Sequence, residues 1–224
     1  MSDNSEYNRN RPIGKRILLV TGPQGSGNHL FSKILGLSEH VYGWDFGEKY
    51  WIPSDEEPFA ECWVNPELTV PTLEKIKETY VVANVSVPFV FDGEKRIPAI
   101  QEFVDEAKSA GHRVTVCIVS RDRNINCLQQ ERVRDEITLP TAMAYYRCLD
   151  NCDFAFLSHE TLYLHKCMYL KSLGNILGFP IDYDNPRVYD ILVEDQNNKY
   201  VKYVEEHWLD NEVWKGLRPK SERK

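Results

Sequence analysis

One junction constrains this chain more than any other. Residues Arg16–Thr21 (RILLVT) run directly into Gly22-Pro23-Gln24-Gly25-Ser26-Gly27, and a helical pattern follows with Leu30, Ile34 and Leu35 on one stripe and Gly36 as its stop. Apolar side chains at consecutive positions suit a strand buried on both faces. A glycine-rich turn joining such a strand to a helix is a hallmark of α/β proteins with a parallel sheet.

The rest of the chain extends this pattern. Tyr80–Val87 (YVVANVSV) reads as a second buried strand ending at Pro88, and Arg113–Ser120 (RVTVCIVS) as a third. Between them, Pro98–Ala110 places Ile100, Phe103, Val104 and Ala107 at helical spacing before Gly111, so the segment is a βαβ unit with parallel strands. A charged helix is expected over Asn124–Glu136, a further helix near Ala142–Leu149, a short strand at Phe154–Leu157 and a helix over Tyr163–Leu177 closing at Gly178. The fold class expected is α/β, a three-layer sandwich around a mostly parallel sheet.

Residues 1–14 read as a disordered leader and 15–182 as the α/β domain. Residues 41–72, rich in Trp, Pro and acid, read as a lid-like insertion, and 183–224 as a helical extension packed on the same domain, with a helix over Lys199–Trp208.

Composition sets the outer bounds. A hydrophobic fraction of 42% supports a real core and excludes wholesale disorder. No stretch approaches the ~18 apolar residues that crossing a bilayer needs, and the polar N-terminus has no signal-like apolar core. These features lead to the expectation of a cytoplasmic protein with no membrane partner. The net charge of −7 argues against broad wrapping of nucleic acid, which leaves nucleic acid only as an acceptor substrate. The six cysteines contain no C-x-x-C pair. A metal reading would have to combine Cys148 and Cys152 with Cys167 and His159 or His165, and buried free thiols are the better account, so no metal site is expected.

The chemistry concentrates at Gly22–His29 (GPQGSGNH), which keeps the spacing G-x-x-x-x-G-[K]-[S/T] and changes its last two residues. Glycines let the backbone aim its N–H groups inward, and the helix that begins there adds the positive end of its dipole. The result is a cradle for phosphate or sulfate. Asn28 stands where ATPases place Lys, and His29 where they place the Mg²⁺-binding hydroxyl. Cofactor-binding candidates are therefore Gly22, Gly25, Ser26, Gly27, Asn28 and His29. Arg121 and Arg123 join them from the carboxyl end of the third buried strand, where open α/β sheets bind ligands and a guanidinium fork suits a phosphate.

Thr21–Leu35 (TGPQGSGNHLFSKIL) resembles the 5′-phosphosulfate loop of sulfotransferases, with Ser26 and Gly27 matching directly. Gly25 replaces that family's usual Lys or Arg, and Asn28 and His29 replace its hydroxyl pair. Ser120-Arg121-Asp122-Arg123 is similar to the opening of the family's 3′-phosphate motif, although the Ser expected eight residues after the Arg is Gln129 here. Phe156–Pro180 resembles the family's late strand, Glu-containing turn and helix. The resemblance implies a sulfotransferase-like P-loop fold. It also implies 3′-phosphoadenosine 5′-phosphosulfate as sulfuryl donor, held at its 5′ end by the loop and at its 3′-phosphate by Arg121, with a hydroxyl or amine as acceptor.

Transfer to a hydroxyl needs a base near the acceptor oxygen. The family commonly places a His two residues before the Pro that ends the second strand, and here that residue is Ser86. His29, at the helix start, and Asp45, in Gly43-Trp44-Asp45, are the catalytic candidates. Trp44, Tyr50, Trp51 and Trp63 are available to stack on an acceptor or to pack in the core. Two other readings stay open: an ATP- and Mg²⁺-dependent kinase of a small molecule, nucleotide or modified base, with Lys33 or Lys15 replacing the missing loop Lys, and a non-catalytic nucleotide-binding protein with a degenerate loop.

Overall fold

The structure is a computed structural model and describes residues 14–43 and 57–194. In chain order the sheet-forming and helical elements are β1 (Arg16–Pro23), α1 (Asn28–Leu35), β2 (Val41–Tyr42), α2 (Thr69–Lys75), β3 (Tyr80–Val87), β4 (Phe89–Phe91), β5 (Glu94–Arg96), α3 (Ile100–Ser109), β6 (Arg113–Ser120), α4 (Arg123–Arg134), α5 (Leu139–Tyr146), β7 (Asp153–Ser158), α6 (His159–Leu177) and α7 (Pro186–Glu194). Short 3₁₀ turns at Ala60–Trp63 and Pro66–Leu68 lead into α2.

Five strands form one all-parallel sheet in the order β2-β3-β1-β6-β7, and β4 and β5 form a small antiparallel hairpin beside it. The continuous apolar run of β1 has a direct cause, because consecutive side chains of a strand point to opposite faces and both faces here are covered. Ile17 and Leu19 enter a core with Phe59, Trp63 and Leu73, and with Ile100 and Phe103 of α3 and Ala142 and Tyr146 of α5. Leu18 and Val20 enter a second core with Leu30, Phe31 and Ile34 of α1, Leu162 and Leu170 of α6, and Val188 and Ile191 of α7. The α/β three-layer architecture expected from sequence is therefore present.

Several local expectations shift. Of the insertion 41–72, Val41–Tyr42 forms β2 of the sheet, and 57–72 is built into the first core, where Phe59 and Trp63 are each 1% exposed. Trp63 packs on Phe103 with ring centroids 4.7 Å apart. Residues 44–56 of that insertion, the leader up to residue 13 and the helix expected over Lys199–Trp208 lie outside the described residues. Helix α6 begins four residues before the expected Tyr163, at His159, because the Ser158 side chain accepts the Thr161 N–H and caps it; its geometry breaks at Lys166, where φ is 43°. The expected Asn124–Glu136 helix starts at Arg123 because Asp122 accepts the N–H groups of Asn124 and Ile125.

No helix among the described residues is long and apolar enough to cross a membrane. All six cysteines are free, and no group of three His, Cys, Asp or Glu side chains among the described residues could hold a metal ion.

One buried polar contact ties a helix to the strand that carries the glycine turn. The hydroxyls of Thr21 and Tyr146 lie 3.0 Å apart, both buried. Tyr146→Phe should leave the Thr21 hydroxyl without this partner at a cost of about 1 kcal/mol, read as a lower urea midpoint with an unchanged slope. An unchanged midpoint would show that the pair contributes nothing.

Candidate anion-binding site

The sheet order decides where a ligand fits. From β1 the chain passes to α1 on one face, whereas neighbouring β3 leads to α3, and β6 through α4 to α5, on the other. A strand whose connection leaves to the opposite face from those of its neighbours opens a crevice at its carboxyl end. The glycine turn, Gln24–Gly27, occupies that position.

The turn depends on glycine at two places. Gly25 has φ +79° and Gly27 φ +101°, both in the left-handed region that L side chains avoid. Gly27 is also the N-cap of α1, so no side chain caps the first-turn amides, and no acidic residue stands in that turn. The Phe31 N–H closes the first helical bond on the Gly27 carbonyl. Helices α4 and α6 are capped by the Asp122 and Ser158 side chains, whereas α1, like α2, α3 and α5, has no side-chain hydrogen bond from its N-cap residue. Inside the turn, Ser26 is 1% exposed and its Oγ has no hydrogen-bond partner among the described residues. This hydroxyl lies over Gly22, where an added Cβ would come within 2.2 Å of it. A buried hydroxyl left in this way calls for an acceptor or donor from outside the protein.

The outer side of the turn is braced. The Gln24 carbonyl accepts from Gln130 Nε2 at 2.6 Å and Asn126 Nδ2 at 3.4 Å, while Gln130 Oε1 accepts the N–H groups of Thr138 and Leu139 at the start of α5. Arg121 Nη1 donates to the Gly25 carbonyl at 2.9 Å and to Gln129 Oε1 at 2.5 Å. Arg121 and Gln129, eight positions apart, are thus in contact, and the guanidinium lies beside Gly25. The Gln129 side chain borders Gly25, and the His159 ring borders Gly27. Arg123 lies apart from this cluster in role, as the exposed first residue of α4.

On the other side of α1 lies a buried polar network that sequence reading reached only in part. Asn28 Nδ2 donates to Asn84 Oδ1 at 3.1 Å and to Ser86 Oγ at 3.2 Å, and Ser32 Oγ donates to the same Asn84 oxygen at 3.1 Å. Asn84 Nδ2 donates in turn to Glu57 Oε2 at 2.9 Å, and Glu57 Oε1 stands 3.5 Å from His29 Nε2. Asn28, His29 and Ser86, read separately from the sequence, therefore share one cluster with Asn84 and Glu57. Burial pushes the Glu57 carboxyl up to about 8, and the hydrogen bond from Asn84 only partly opposes this. Burial pushes His29 down to about 4, with the positive charges of Lys33 and Arg134 adding to the effect.

Glu57 and Asn84 were not singled out by the sequence reading. The available signal was Asn84 itself, a polar residue in the middle of YVVANVSV, since a polar side chain inside a buried strand requires a partner. Asp45 lies outside the described residues, so the structure places only His29 of the two catalytic candidates.

Comparison of the chain with protein-family models, with curated proteins and with solved structures gives no match.

Proposed function

We propose that the protein is a nucleotide-dependent group transferase and that its glycine turn holds the 5′ end of 3′-phosphoadenosine 5′-phosphosulfate. The observation that carries the reading is the buried, unpartnered Ser26 hydroxyl inside a turn that opens onto the uncapped start of α1. Gly22, Gly25 and Gly27 let the turn close against the side chains of Ser26, Gln129 and His159, and Ser26 supplies a hydroxyl contact. The guanidinium of Arg121, set beside Gly25, provides positive potential on the β6 side, toward a 3′-phosphate. When bound, this donor would supply a sulfuryl group for transfer to a hydroxyl or amine acceptor. Asn28 and Ser32 would hold the acceptor side of the turn rigid through Asn84.

The ATP-dependent alternative has weaker support. Asn28 stands at the position of the phosphate-clamping Lys, and its amide is committed to Asn84 and Ser86. A thermal-shift titration separates the readings, since a ligand that binds only the folded state raises the midpoint. Adenosine 3′,5′-bisphosphate without divalent metal, at a hundred times its Kd, should raise the midpoint by roughly 5–10 °C. A shift with ATP–Mg²⁺ alone would transfer the proposal to a kinase. No shift with either ligand would leave an α/β protein whose turn is not a nucleotide site.

A further inference from the structure

The sheet ends on β7, and its order leaves one side of that strand without a neighbour among the described residues. The backbone polarity of this edge follows from the strands beside it. The Arg113 N–H donates to the Lys15 carbonyl just ahead of β1, so Arg113 and every second residue after it direct their N–H and C=O groups toward β1. Val114, Val116, Ile118 and Ser120 therefore face β7. Ile118, whose register partner is Phe156, reaches the two residues that flank it, Ala155 and Leu157. The Ser120 hydroxyl donates to the Leu157 carbonyl at 3.2 Å, on the same side. Phe154, Phe156 and Ser158 are left with their N–H and C=O groups aimed away from the sheet. The Ser158 N–H donates to the Tyr169 hydroxyl of α6, whereas Phe154 and Phe156 have no hydrogen-bond partner on that side among the described residues.

The side chains of these two residues are exposed as well. Ala155 and Leu157 turn toward the core shared with α1 and α6, and Phe154 and Phe156 lie on the other face, 42% and 72% exposed. An edge strand normally carries a Lys, a Pro or a bulge that blocks further pairing. Phe154–Leu157 (FAFL) has no charge and no Pro, and the register of β7 with β6 is continuous.

We propose that β7 pairs antiparallel with β7 of a second copy of this chain, about a twofold axis that passes through Ala155 perpendicular to the sheet. One register satisfies the whole edge. Phe154 of each copy stands opposite Phe156 of the other, each pair exchanging two N–H···O bonds, and Ala155 stands opposite its own mate. The four phenylalanines then form two cross-strand aromatic pairs on one face. An axis through Phe156 would instead pair Phe154 with Ser158, whose N–H already serves Tyr169. Asp153, the single charge of the strand, falls opposite Leu157 rather than opposite its own mate. On the other face, the two α6 helices, which share the core under β7 through Leu162 and Leu170, come side by side, each with Leu164 and Met168 exposed. A stable interface buries about 800 Å² per partner. The two phenylalanines offer on the order of 200 Å² of this; the strand backbone and the α6 contact supply the rest, and a concentration-dependent dimer is expected.

Sedimentation equilibrium on the full chain tests this. Wild type should pass from monomer to dimer, and no further, between about 1 and 200 μM. Phe156→Lys sets a charge opposite Phe154 and should raise the dissociation constant by about tenfold or more. Its urea midpoint at a concentration where both proteins are monomers should be unchanged, because the replaced side chain is mostly exposed. The register is read by oxidising Ala155→Cys in a chain whose exposed Cys148 and Cys167 are replaced by Ser, since Cα atoms of a directly opposed pair of this kind lie about 4.5 Å apart, within disulfide range. A covalent dimer should form with that variant and not with Ala155 retained. A wild type that stays monomeric at about 200 μM overturns the proposal and leaves the edge to a strand from another protein. A dimer that Phe156→Lys leaves intact overturns it too, since the contact would then lie on another surface. A dimer that Phe156→Lys weakens but Ala155→Cys does not cross-link overturns the twofold through Ala155.

Discussion

Gly27→Val should abolish stabilisation by adenosine 3′,5′-bisphosphate and lower unfolding free energy by about 2–4 kcal/mol. Two separate costs act at this position. The backbone at Gly27 has φ +101°, which an L side chain, and a β-branched one above all, adopts only under strain. In addition, any Cβ there would lie 2.5 Å from Cδ2 of His159, which is 2% exposed and packed at a tilt against Tyr163 with ring centroids 4.9 Å apart. His159 also begins α6, so it has little freedom to retreat.

Gly111 supplies the matched control. Its φ is +86° and an added Cβ meets no atom within 4 Å, at the end of α3 and away from the turn. Gly111→Ala therefore carries the backbone cost alone, about 1 kcal/mol, and should keep full ligand response. Gly27→Ala carries that cost plus the clash. Comparison of the two alanine variants by urea unfolding and ligand titration isolates the effect of filling the turn. If Gly27→Ala matches Gly111→Ala in both stability and binding, the space at Gly27 has no function.

How much of this was legible in the sequence follows from the range of the interactions involved. Strands β3 and β6 run from Tyr80 to Val87 and from Arg113 to Ser120, as their apolar runs predict, because a strand buried on both faces shows its burial locally in every residue. The two-residue β2 and the three-residue strands of the β4–β5 hairpin were missed, since two or three residues carry no periodicity. Helix α7 falls within the stretch 183–224 read as a helical extension, but its bounds were not given although their signals were present: Asn185 accepts the Arg187 N–H just ahead of Pro186 at the first helical position, and Val188, Ile191 and Leu192 lie on one buried face.

The site shows the same division. The turn was visible because its glycines and Ser26 are contiguous. Glu57 was not, because one acid in SDEEP looks like any solvated turn residue until β3 brings Asn84 against it from 27 positions away. For Trp63 the sequence left stacking and core packing both open, and the docking of α3 makes it core, with Phe59 beside it.

Between pH 6.5 and pH 8 the wild-type protein should lose on the order of 2 kcal/mol of unfolding free energy that Glu57→Gln does not lose. The sign follows from counting the protons held by Glu57 and His29 together. Unfolded, the carboxyl titrates at 4.5 and the imidazole at 6.5; folded, burial moves them to about 8 and about 4. From 4.5 to 6.5 the folded pair holds one proton, on Glu57, and the unfolded pair also holds one, on His29, so the two opposing shifts cancel and stability is level.

Above 6.5 the unfolded pair holds none while the folded pair keeps the Glu57 proton until about pH 8. Folding then binds one proton over about one and a half pH units, and each unit costs about 1.4 kcal/mol. Glutamine keeps an oxygen to accept from Asn84, but has no proton to lose. Other groups, such as His112, whose imidazole is also held below its ordinary value by burial, titrate alike in both proteins, so the difference between the two urea-derived stability profiles isolates Glu57. Profiles that run parallel across this window would mean that Glu57 is ionised in the folded protein, a carboxylate that still accepts from Asn84 and faces His29 as an ion-pair partner.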